Sequence, residues 1–228
     1  MLSPALRLWL RSQVQQVSNL EVKIVGSDRQ ILQGTIPRVS ISASHAVYQG
    51  LHLSQIQLEG EGIRINLGQV LRGQPLRLLE SVAVSGELLL QEADINASVQ
   101  APILIDGLTE LLVTLLQSEC LPDLSKLIID RQFRWQNPQI KINAGQVTIS
   151  ATLIPINSNP TPIVIRTGLQ LASNHEVQLK HPQIQTQHEF LLDNRDSVNV
   201  DLGSEVAIEE LRLTPGQLIC RGRINVIP

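Results

Sequence analysis

The side chains able to do chemistry are few, and their spacing argues against catalysis. The five histidines are His45, His52, His175, His181 and His188. None falls into H-x-x-H or H-E-x-x-H, and none stands at zinc-finger spacing from Cys120 or Cys220. His188-Glu189 lacks the second histidine such a motif needs. The chain has no G-x-S-x-G, no G-x-x-x-x-G-K-[ST] and no G-x-G-x-x-G. Glu209 and Glu210 are adjacent, so in a strand they point to opposite faces and do not converge as an acid/base pair. Asp193-Asn194-Arg195-Asp196-Ser197 has the residue types of a calcium loop without its spacing, and reads as a polar turn. No metal site, no cofactor and no enzyme activity are expected. The expected activity is binding.

Two groups of residues point to what such a chain binds. Asp130-Arg131-Gln132-Phe133-Arg134-Trp135 gathers two arginines and two aromatics. It reads either as a strand edge with a cation–π contact or as a headgroup interface, with Arg131 and Arg134 meeting phosphate. The second group is the aliphatic supply. Only five of 228 residues are aromatic (two Trp, one Tyr, two Phe), while 43 % are hydrophobic. A face built from Leu, Ile and Val suits a core or an acyl chain, and lacks the rings on which bases stack. With a formal net charge of -3 and no basic stripe, nucleic acid is not an expected partner.

The elements that must position these residues are mostly strands. Val39-Ser40-Ile41-Ser42-Ala43 and Val147-Thr148-Ile149-Ser150-Ala151 alternate apolar and polar residues, the pattern of a strand with one buried face. Similar stretches recur over 20–67, 82–90 and 139–226. Between 51 and 58 the apolar phase slips from odd to even positions, which predicts a bulge near Ser54 or Gln55. Asn143-Ala144-Gly145-Gln146 and Thr214-Pro215-Gly216-Gln217 read as hairpin turns.

Two helical segments interrupt the strands. Residues 3–17 predict an amphipathic helix capped by Ser3, with Leu6, Trp9 and Leu10 on one side. It either packs on the fold or lies on a membrane surface, where those three make the contact. Residues 92–117 form the central helical segment, interrupted at Pro102. On its longer part Leu104, Leu108, Leu111, Leu112 and Leu115 make a broad apolar face, the expected lining of a lipid groove. No apolar run is long enough to span a bilayer, and Met1 to Leu10 does not read as a signal peptide. The expected location is therefore cytoplasmic or peripheral on a membrane, unless a leader has been removed. Cys120 and Cys220 read as free thiols.

The order of these segments resembles the LmeA-like phospholipid-binding family, in particular its cyanobacterial members. The resemblance runs through Leu20-Glu21-Val22-Lys23-Ile24, Leu32-Gln33-Gly34, Ile36-Pro37-Arg38-Val39-Ser40-Ile41, Gly50 to Leu58, Gly62-Ile63-Arg64-Ile65-Asn66, Glu92-Ala93-Asp94-Ile95-Asn96 and Leu218 to Ile224. It implies a single lipid-binding domain over 1–228 of the α+β class. A highly curved antiparallel sheet would wrap around the long apolar helix, as in tubular lipid-binding domains, with the N-terminal amphipathic helix added. It also implies phospholipid or another acyl lipid as partner, either only bound or also transferred at a membrane surface. The alternative from the residues is a protein-interaction module whose core is closed by its own side chains.

Overall fold

The computed structural model describes residues 17–70, 72–116, 128, 130–156, 159–186, 190–192 and 196–228. The strands are β1 (Asn19–Val25), β2 (Thr35–Tyr48), β3 (Leu51–Arg64), β4 (Val82–Gln91), β5 (Phe133–Asn143), β6 (Gln146–Pro155), β7 (Thr161–Leu171), β8 (Glu176–Thr186), β9 (Phe190–Leu192), β10 (Val198–Asp201), β11 (Val206–Thr214) and β12 (Gln217–Val226). The helices are α1 (Asp28–Leu32), α2 (Leu67–Val70), α3 (Glu92–Ala97) and α4 (Pro102–Leu116). The N-terminal helix expected over 3–17, with Leu6, Trp9 and Leu10, falls outside the described residues.

The strands form two six-stranded sheets. Sheet 1 has the order β1-β2-β3-β4-β12-β11, and sheet 2 the order β10-β8-β7-β6-β5 with β9 also paired to β8. Every ladder is antiparallel. The expected α+β fold, one highly curved sheet wrapped around a long apolar helix in the tubular lipid-binding manner, is not what forms. Among the described residues the structure is 61 % strand and 16 % helix, with four short helices and two sheets. Length gives the physical reason. At 1.5 Å per residue, the 15 residues of α4 span roughly 22 Å, enough to cover one sheet face and too little to be encircled by twelve strands. The later strands instead close among themselves as hairpins, and β11–β12 returns to the first sheet beside β4.

Pro102 stands at the first position of α4, where its missing N–H costs nothing. The helix lays Leu108, Leu112, Leu115 and Leu116 into a core with Ile149, Leu153, Ile163, Ile165 and Ile184 of sheet 2. Gly145 (φ 66°) and Gly216 (φ 76°) take the left-handed position in two tight hairpin turns. Their backbones also join the sheets. Gly145 N–H donates to the Leu213 carbonyl at 3.2 Å, and Gly216 N–H to that of Ile142 at 2.9 Å.

The helix α3 protects the outer edge of β5. Asn96 accepts from the Ile140 N–H at 2.8 Å and donates to the Ile140 carbonyl at 2.7 Å, and Glu92 accepts from the Ile142 N–H at 2.8 Å. Side chains thus take the place of a neighbouring strand. The expected bulge near Ser54 is replaced by a left-handed residue. The β2–β3 register runs on without an inserted residue, and His45 (φ 48°) on the partner strand absorbs the change of phase. Buried Ser54 is held there by accepting from the Gln91 N–H at 2.8 Å and donating to Asp94 at 2.5 Å.

Candidate lipid-binding site

The register of sheet 1 gathers apolar residues into three rows on one face. Directly paired residues share a face, and the pairings give three rows running across all six strands. The first is Leu20, Ala43, Ile56, Leu88, Cys220 and Leu211; the second is Val22, Ile41, Leu58, Gly86, Gly222 and Ile208; the third is Ile24, Val39, Gly60, Val84, Ile224 and Val206. No member carries a charge or a side-chain oxygen. The intervening rows on the other face read Glu21, Ser42, Gln57, Glu87, Arg221 and Glu210, or Lys23, Ser40, Glu59, Ser85 and Arg223. That face is tied by ion pairs, among them Arg221 to Glu87 at 3.0 Å and to Glu210 at 3.2 Å, and Arg38 to Glu61 at 2.5 Å.

The apolar face is not equally covered. Toward β1 and β2 it is buried, at Val22, Val39 and Ala43. Across β3, β4, β12 and β11 its side chains are partly open, and Ile224 is 44 % exposed. Here the face dips into a trough of about 220 Å³ whose walls include Ile56, Leu58, Val84, Leu88, Val206, Ile208, Cys220 and Ile224. Its floor is a cross-strand glycine pair, Gly86 facing Gly222. The two glycines are there for different reasons. A Cβ on Gly222 would meet the Ala207 carbonyl oxygen at 2.4 Å, so close backbone approach beside the β11 irregularity at Glu209 demands it. A Cβ on Gly86 would meet Leu58 Cδ2 at 2.9 Å, the movable tip of a side chain. A larger residue at Gly86 would therefore displace the Leu58 tip, which is itself one wall of the trough. Burial pushes the Cys220 thiol above its ordinary pKa.

The structure places the sequence-derived candidates elsewhere. Leu112 and Leu115 have no exposure and Leu108 has 5 %, while Leu104 and Leu111 pack at the margin of the same core, against sheet 2. Arg131 is ion-paired to Glu110 of α4. Arg134 sits exposed on β5, paired across the ladder with Ile154. Phe133 and Trp135 meet edge to face at 5.8 Å, and the Trp135 indole donates to Thr109 at 2.9 Å. These residues all belong to sheet 2 and its helix, apart from the trough in sheet 1. The trough residues were missed because they come from four strands spread from Ile56 to Ile224. The mid-strand glycines in Val84-Ser85-Gly86-Glu87-Leu88 and Cys220-Arg221-Gly222 were the available signal.

No group of three or more His, Cys, Asp and Glu among the described residues is arranged to hold a metal. None of the described helices is long and apolar enough to cross a membrane.

Sheet 1 thus carries a largely apolar face that is partly uncovered across β3, β4, β12 and β11. The chain belongs to the LmeA-like phospholipid-binding family, whose model matches residues 1–223. Comparison with curated proteins and with solved structures gives no match.

Proposed function

We propose that the protein binds phospholipid by taking acyl chain into the trough across β3, β4, β12 and β11, and that this binding, without catalysis, is its activity. The observation that carries the reading is the three rows of uncharged, mostly aliphatic residues on one face of sheet 1, left partly uncovered where Gly86 faces Gly222. Each methylene transferred from water to such a surface contributes about 0.8 kcal/mol. The family supports phospholipid as the source of that chain. A partner that presented polar side chains would lose hydration here without gaining hydrogen bonds.

Gly86→Val tests this directly. Valine suits a mid-strand position, and its methyl groups would raise the floor against Leu58, whose tip can move aside. Native mass spectrometry of the purified variant should show most of the copurifying lipid lost, with the thermal midpoint close to wild type. A folded Gly86→Val protein that keeps its full lipid load rules the trough out.

A further inference from the structure

Sheet 1 has two unlike ends. At one, α3 and the turns at Gly145 and Gly216 lock it to sheet 2. The other end carries the β1–β2 connection with α1, the β3–β4 connection with α2, and the C-terminal tail after β12. Exposed aliphatics collect there. Leu32 is 65 % exposed, Leu79 55 %, and the tail adds Val226 at 36 % and Ile227 at 63 %. Val226 pairs with Val82 and continues the apolar face one row past Val84 and Ile224, the trough residues nearest this end.

The charges at the same end differ from those on the polar face of sheet 1. On that face Arg38, Arg221 and Arg223 all meet glutamates, as does Arg64 at the end of β3 with Glu80. Arg29 on α1 and Arg72 and Arg77 in the β3–β4 connection have no carboxylate partner among the described residues. Asp28 at the start of α1 and Glu205 just before β11, whose carbonyl accepts from the Asn225 N–H at 2.8 Å, are the carboxylates at this end without an ion pair among the described residues. Arg72 lines one depression together with Leu32 and Leu79. The connection that carries Arg72, Arg77 and Leu79 is held in place by buried Asn66. That side chain accepts from the Arg77 N–H at 2.8 Å and donates to the Pro75 carbonyl at 3.0 Å.

From this juxtaposition we propose that the α1/α2 end of sheet 1 is a docking surface for a bilayer containing anionic phospholipid. Leu32 and Leu79 enter the interface, and Arg29, Arg72 and Arg77 meet headgroup phosphates. The charge complementarity selects an anionic membrane over a protein groove, and the trough residues Val84, Val206 and Ile224 lie close to this end, which shortens the path of an acyl chain from the bilayer. The proposal rests on the trough as the acyl site, and goes further by giving that site an entrance and a lipid charge.

The test uses the full chain and sedimentation with two kinds of vesicle, phosphatidylcholine alone and phosphatidylcholine mixed with phosphatidylserine. Wild type should partition onto the anionic vesicles, and less so as salt rises. At about 1 kcal/mol for each arginine near an anionic surface, each of Arg29→Gln, Arg72→Gln and Arg77→Gln should lower that partition roughly fivefold. Leu32→Ser with Leu79→Ser should lower it on both vesicle types. All five side chains are exposed, so the variants should keep the wild-type melting profile. Equal wild-type partition onto both vesicle types, or a protein carrying Arg29→Gln, Arg72→Gln and Arg77→Gln together that sediments as wild type, overturns the docking surface. Docking without any bound lipid would leave this surface standing and remove the trough instead.

Discussion

Cys220 is a built-in reporter for the trough. It is a free thiol on the first aliphatic row, between Leu88 and Leu211. Alkylation needs the thiolate, and burial raises the thiol pKa, so the neutral form is favoured in the folded protein. The sign follows. The folded state holds its proton to higher pH than the unfolded chain does, so this group lowers stability as pH rises past the ordinary thiol range. Alkylation of Cys220, followed by peptide mapping to separate it from Cys120, should be slow at neutral pH. It should still be climbing above the ordinary thiol pKa, and should slow several-fold more when lipid fills the trough. A rate indifferent to added phospholipid would show that the bound lipid lies elsewhere. At this scale the sequence was readable only in part. Gly145 and Gly216 stand in recognisable turns, whereas Gly86 and Gly222 lie mid-strand and acquire meaning only from each other. Their pairing spans more than half the chain, and no local pattern encodes it.

At the scale of elements, alternation identified strands because one-sided burial is written into every second residue. It could not say which strands pair. The helix α4 shows the same boundary from the other side. Its apolar stripe is plain in Leu104, Leu108, Leu111, Leu112 and Leu115, but a stripe of leucines looks the same under a lipid as under a sheet. What buries it here is Ile149, Leu153, Ile163 and Ile165, supplied by hairpins far downstream. The short helix α3 was legible as helix and silent as an edge cover. Asn96 replaces a strand by bonding both backbone groups of Ile140. Asn96→Ala should therefore strand a buried donor and acceptor and cost about 1–3 kcal/mol, read as a lower denaturant midpoint at unchanged slope. The uncovered β5 edge should also raise the tendency to aggregate. A midpoint within error of wild type would mean that water satisfies Ile140 equally well.

Across the whole molecule the two sheets manage hydrocarbon differently. Sheet 2 closes its apolar face with α4, and the residues between them reach zero exposure at Leu112, Leu115, Leu153, Ile165 and Ile184. Sheet 1 carries as complete an aliphatic face and leaves its β3–β4–β12–β11 part half-covered. A ligand that binds only the folded state adds stability in proportion to RT ln(1+[L]/Kd), about 2.7 kcal/mol at a hundredfold excess over Kd. In this protein that gain should be local. Stripping bound lipid with cyclodextrin should lower the thermal midpoint and speed hydrogen exchange at 56–58, 84–88 and 220–224. The amides of β6 and β7, beneath α4, should keep their protection because their cover is protein. Gly86→Val should exchange like the stripped wild type in β6 and β7, yet show little further change in β3, β4 and β12 when lipid is added back. Uniform loss of protection across both sheets would place the lipid in the shared core beside α4. Loss confined to β6 and β7 would place it under the helix and leave the trough an ordinary surface.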